Sequence, residues 1–159
     1  MADVISQLRR AYSLLIRVAS SLQSPFLLFV RLYWGWQFCQ TGWGKLHNLP
    51  HVIEFFTSLG IPAPALNAYF VSGLEFVGGI LLAVGLGSRL LALMFTVDMF
   101  VAYVTADRAA LLSIFSKSDD FVGATPFAFL MASLIVLIFG PGKFALDYLI
   151  ERKWLPRST

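Results

Sequence analysis

Apolar residues dominate four stretches of the chain, and the polar positions between them mark where each stretch ends. Residues 26–43, 66–86, 90–106 and 121–139 each hold a nearly continuous apolar run. A helix of about 20 residues rises roughly 30 Å, the thickness of a bilayer's hydrocarbon core. The pattern therefore predicts an all-α integral membrane protein, an antiparallel four-helix bundle. Gly87-Ser88-Arg89 separates the second and third runs so tightly that the chain must return directly beside itself. Pro25 is expected to open the first crossing, Pro126 to kink the fourth or lie in its first turns, and Gly140-Pro141-Gly142 to end it.

The flanks read differently. Residues 1–24 place Val4, Leu8, Tyr12, Leu15, Ala19 and Leu22 at helical spacing, with Arg10, Arg17 and Ser21 opposite. That is the pattern of a separate amphipathic helix lying in the cytoplasmic interface. Three arginines interrupt this segment, so it does not resemble a cleaved signal peptide. Between the first two crossings, residues 51–59 form a short amphipathic surface helix stopped by Gly60-Ile-Pro-Ala-Pro64. Residues 143–159 make a cytoplasmic tail that begins as another amphipathic helix. The four-helix domain spans residues 25–142, with no internal repeat or linker to divide it.

Composition supports lipid as the solvent. The 159 residues are 58% hydrophobic and 13% charged, about half the charge of an average soluble domain. With the N-terminus inside, Arg9, Arg10, Arg17, Arg89, Lys143, Arg152, Lys153 and Arg157 fall on the cytoplasmic side, against Lys45, Arg108 and Lys117 outside. This asymmetry predicts a multi-pass protein of the cell's inner, cytoplasmic membrane with both termini in the cytoplasm. The net charge of +3 is too small and too scattered for a nucleic-acid surface. The single Cys39 excludes an internal disulfide and any iron–sulfur cluster held by this chain alone. No nucleotide or flavin motif is present, and no metal site is expected.

The candidate chemistry lies in the few ionisable groups at membrane depth. Arg31 falls in the first crossing, Glu75 near the middle of the second and Asp98 near the middle of the third. Such groups are costly in lipid unless they face a partner, water or protein, so they are expected to converge in the bundle interior. There Arg31 is expected to pair with one of the two carboxylates, leaving the other to exchange protons. The structural alternative is a buried ion pair that only fixes helix register. Gly35, Gly42 and Lys45 share a helical face with Arg31, while Gly78 and Gly79 smooth the second crossing. Small residues of this kind allow close helix packing, or leave a slot for a flat ligand. His47 and His51, four apart, read mainly as a solvated pair.

Arg31-Leu-Tyr-Trp-Gly35, Gly42-Trp-Gly-Lys45, Gly60-Ile-Pro62 and Glu75-Phe-Val-Gly-Gly79, followed by Leu82, Gly85 and Arg89, together resemble the DoxX family of small bacterial and archaeal membrane proteins. The resemblance covers about residues 26 to 140. It implies a four-helix membrane protein of the kind associated with quinol oxidase and with thiosulfate:quinone oxidoreductase activity. On that basis Glu75, Asp98 and Arg31 are the expected catalytic residues. Arg31, Lys45, Gly42, Gly78 and Gly79 are the expected contacts to a quinone. Membrane lipid, a redox partner subunit and a further copy of the chain are the expected partners. The alternative reading is a non-catalytic anchor or scaffold in a redox or stress-response complex.

Overall fold

The computed structural model describes residues 2–154, with side chains from Ile5 to Lys153. Every regular element among them is helical. α1 runs unbroken from Ala2 to His47, 46 residues with Pro25 inside. α2 (Leu49–Ser58), α3 (Pro64–Val84) and α4 (Ser88–Thr105) follow. Two short helices, α5 (Arg108–Leu112) and α6 (Ser118–Gly123), precede α7 (Thr125–Phe139) and α8 (Leu146–Trp154). α1, α3 and α4 are long and apolar enough to cross a membrane, whereas α7 is apolar but has 15 residues.

Two boundaries differ from the sequence reading. Pro25 does not start a new helix, so the predicted interfacial helix and first crossing are one element. A proline deletes one rung of the helical ladder, yet the helix continues through it into the apolar run Phe26-Leu27-Leu28-Phe29. The fourth apolar run is split at Ala124, whose extended backbone (ψ 139°) separates α6 from α7. Pro126 sits in the first turn of α7, where its missing N–H costs nothing.

The core forms where α1, α4 and α7 meet. Phe38 of α1 is fully buried and stacks on Phe95 of α4 with ring centroids 3.8 Å apart. Phe129 of α7 closes edge-on against Phe38 at 4.8 Å and against Trp34 at 5.0 Å. α3 packs along the C-terminal half of α1 through glycines. A Cβ on Gly79 would lie 2.6 Å from the backbone of Cys39 and of Gly35, and one on Gly42 would lie 2.3 Å from the Phe76 nitrogen. With little apolar driving force between helices in lipid, such backbone contact is a principal source of association.

One end is tied by polar groups. The α3–α4 turn uses Gly85 (φ 78°) and Gly87 (φ 63°), both in the left-handed region open to glycine. Its exposed amides are capped from a distance. Asp147 accepts from Gly87 N at 2.7 Å and from Ser88 N at 2.8 Å, while its own N–H donates to Gly85 O at 2.9 Å. Those two amides open α4, where a carboxylate is favoured by hydrogen bonding and by the helix dipole. Asp147→Ala is expected to destabilise the protein by about 1–2 kcal/mol, read as a lower melting temperature in detergent. Asp147→Asn should recover part of that loss.

Candidate functional site

The polar groups at membrane depth divide into two clusters. Arg31 is completely buried but meets neither carboxylate. Its Nη2 donates to Phe144 O at 2.7 Å, and Nη1 lies 3.4 Å from Ala83 O and 3.5 Å from Leu82 O. These acceptors lie seven and eight residues beyond Glu75 on α3, roughly 10–12 Å along its axis. The guanidinium supplies further donors to carbonyls in the last turn of α3 and to the Phe144 carbonyl before α8. It also fills the space above Gly85, where a Cβ would lie 2.0 Å from Nη1. The expected Arg31–carboxylate pair is thus corrected: Arg31 joins α1 to the end of α3 and to the segment before α8.

Glu75 takes Lys45 instead. Lys45 Nζ donates to Glu75 Oε1 at 2.6 Å, joining the end of α1 to the middle of α3. Glu75 is 2% exposed and Lys45 33% exposed, so the carboxylate is enclosed while the ammonium reaches a surface. The register of the two helices explains the choice. Gly35 abuts Gly79 and Ala83, and Gly42 abuts Ser72, Glu75 and Phe76. Lys45, three residues past Gly42, then reaches Glu75, whereas Arg31 is carried toward the far end. Both glycine sets lay on the correct faces in the sequence, but their pairing across helices was not written there.

The glycines form contacts, not a slot. Gly42 and Gly79 are occupied by the backbone of the facing helix, and a Cβ on Gly78 would lie 3.0 Å from the Phe95 ring and 3.3 Å from Leu91. Gly42, Gly78 and Gly79 therefore do not line a ligand space in this structure. Open space lies on the other side of Glu75. A cavity of about 540 Å³ opens beneath α2, between α3 and α4. Lys45, Glu75 and Asp98 form its polar wall, and Phe55, Phe56 and Met99 are among its apolar lining. This volume is in the range of small-molecule sites, which are mainly apolar with a few convergent polar groups.

Asp98 also borders a second space of about 410 Å³ between α3 and α4, lined by Leu74, Leu93 and Val97. Glu75 Oε2 and Asp98 Oδ2 are both buried with no hydrogen-bond partner among the described residues. Thr41 commits its hydroxyl proton to Phe38 O at 2.9 Å. Two buried carboxyl oxygens left in this state are unusual enough to require an explanation, and a site of action is one. His51 and Asn67 stand in the cavity wall. Asn67 escaped sequence reasoning, because its place there depends on how the 60–64 turn folds α2 back over α3. His47 is separate from His51, its Nδ1 within 2.9 Å of Trp43 O and its ring 4.1 Å from the indole.

Comparison with known proteins agrees with the sequence motifs. The chain is 28% identical over 122 residues to "Putative oxidoreductase CatD" of Bacillus subtilis (strain 168), covering 76% of this chain and 83% of that protein. It is 26% identical over 140 residues to "Inner membrane protein YqjF" of Escherichia coli (strain K12), covering 84% of this chain and 98% of that protein. No solved structure matches it. The DoxX family model matches residues 26–108, just over half of the chain and the part that holds Arg31, Lys45, Glu75 and Asp98. The chain belongs to the DoxX family of membrane proteins.

Proposed function

We propose that the chain is a quinone-linked redox protein, acting alone or as the membrane subunit of an oxidoreductase complex, and that the cavity beneath α2 receives the quinone head. The observation that carries this reading is the joint wall of Lys45, Glu75 and Asp98 on a mainly apolar cavity. The residues fit the group. Aromatic and aliphatic side chains from α2 and α4 suit a flat ring, and the Lys45 ammonium has donors left for a carbonyl oxygen. A bound quinone supplies two-electron, two-proton carrier chemistry. Lys45 orients it, while Glu75 and Asp98 lie where protons must be exchanged. The printed name of the Bacillus relative supports an oxidoreductase role. Electrons come from a small reductant or a partner subunit, since the chain has no motif for an electron carrier of its own.

In this reading α7 completes an antiparallel four-helix bundle as the fourth crossing, and both termini lie in the cytoplasm. The setting is the cell's inner membrane, as for the relative from Escherichia coli. A short-chain quinone analogue titrated into purified protein should quench tryptophan fluorescence saturably. Asp98→Asn and Phe55→Ala should each weaken that binding about tenfold, a change of about 1.4 kcal/mol. Wild-type protein that is folded yet binds no quinone analogue would leave the anchor reading in place of this one. In that reading, Lys45–Glu75 serves only to join α1 to α3.

A further inference from the structure

From the stripe that runs the full length of α1, we infer that two copies of this chain associate in parallel through that helix. Val30, Arg31, Gly35, Phe38 and Gly42 mark the face turned into the protein body. The opposite face follows a strict alternation of three and four residues, the heptad positions a and d. Ile5, Leu8, Tyr12 and Leu15 begin it, and Ala19, Leu22, Phe26 and Phe29 continue it. Tyr33, Trp36 and Gln40 continue it, and Trp43, whose ring also leans on Phe76 of α3, ends it. Apart from Ala19 and Gln40, which are also exposed, these side chains are 47–65% exposed. On the far side of the helix from this stripe, positions 6, 10, 13, 17, 20 and 24 are all serine or arginine.

Three observations select a second copy as the occupant. The first is period. A repeat of 3.5 residues keeps one seam facing a partner helix that coils with it, whereas a flat lipid surface imposes no such register. The second is the helix's path. The buried face of α1 starts at Leu27, and the helix continues unbroken through Pro25 to residue 2. Residues 5–23 are exposed on every side, a helical reach of about 30 Å, so no other part of this chain covers their stripe. The third is Gln40. Gly42 abuts Ser72 and Glu75 near the middle of α3, so Gln40 stands at membrane depth, facing outward with no hydrogen-bond partner among the described residues. A glutamine there is satisfied by its own counterpart across a two-fold axis.

Copies inserted in one membrane share their orientation, so the parallel alignment that places identical residues opposite each other is automatic. No charge opposes a like charge along the seam, since Arg10 and Arg17 point away from it and Arg9 flanks only its first turn. A large side chain at this exposure leaves on the order of 100 Å² uncovered. The stripe thus offers about the 800 Å² per partner of a stable interface.

The test is site-specific cross-linking of the full chain in native membranes, in a Cys39→Ala background. Leu15→Cys, Leu22→Cys and Phe29→Cys are expected to give disulfide-linked dimers on mild oxidation. Ser13→Cys and Ser20→Cys, on the opposite face, are expected to stay monomeric. Equal cross-linking on both faces would show random collision and overturn the inference. So would no cross-linking at any position, as for a helix lying on lipid, or linkage to a different protein. Light scattering in detergent gives an independent reading: Leu15→Arg with Leu22→Arg should convert dimer to monomer, and a wild-type mass of one chain would refute the proposal. Neither result depends on whether the cavity binds a quinone.

Discussion

Replacing Lys45 by methionine is expected to destabilise the protein by about 3–5 kcal/mol, the cost of stranding one partner of a buried ion pair. The methionine keeps most of the apolar stem, so the loss comes from Glu75, which is 2% exposed and whose Oε2 already has no hydrogen-bond partner among the described residues. Removing Lys45 takes away the one cation that pairs with Glu75 among the described residues, at 2.6 Å. Removing both charges together should behave differently. Lys45→Met with Glu75→Gln leaves no uncompensated charge, and replacing a whole buried pair by groups of similar volume is often nearly neutral. The double variant should therefore recover most of the stability lost in the single one. Thermal denaturation of the four proteins of this cycle in one detergent measures the coupling directly. Additive losses would mean that the 2.6 Å contact does not tie α1 to α3. The cycle also separates structure from function: a stable double variant that no longer binds a quinone analogue assigns Lys45 and Glu75 to the site as well as to the scaffold.

The same pair shows where the sequence was legible and where it was not. Helix content, three of the four apolar runs and the small turn helix after His47 followed from periodicity and from the positions of glycine and proline. The presence of Glu75 and Asp98 at one site also followed from the cost of a carboxylate in lipid. Their cation did not. Arg31 and Lys45 stand on the same face of α1, and either one satisfies a charge-pairing argument. Only the interhelical register decides between them, and that register is set by Gly35 against Gly79 and Gly42 against Ser72 and Phe76. Glycine spacing within one helix is visible in a sequence, but its counterpart on another helix is not. The cavity was hidden for a related reason. It needs α2 to fold back over α3 and α4, a consequence of the left-handed turn at Gly60 (φ 70°) and of Ala63 (φ 46°), neither of which has a hydrophobic signature. The continuity of α1 through Pro25 is not legible because an interior proline, with its lost rung and its clash with the preceding turn, normally marks a boundary.

If those glycine contacts set the register, Gly42→Ala should be among the most damaging single-methyl additions in the chain. Its Cβ would lie 2.3 Å from Phe76 N, 2.8 Å from the Glu75 carbonyl carbon and 2.8 Å from Ser72 O. All three are backbone atoms, which cannot rotate aside as a side-chain tip can. The methyl must push α1 and α3 apart, and overpacking of this kind costs about 3 kcal/mol or more when the neighbours cannot yield. Separation also lengthens the Lys45–Glu75 contact and opens the wall of the cavity, so stability and quinone binding should fall together. Gly73→Ala is the matched control, since a Cβ there meets nothing within 4 Å. Alanine at Gly73 should be neutral or stabilising by up to about 1 kcal/mol, because glycine is a poor helix former. A Gly42→Ala protein as stable as Gly73→Ala would mean that α1 and α3 do not touch backbone to backbone. The register that gives Glu75 to Lys45 rather than to Arg31 would then have to be redrawn.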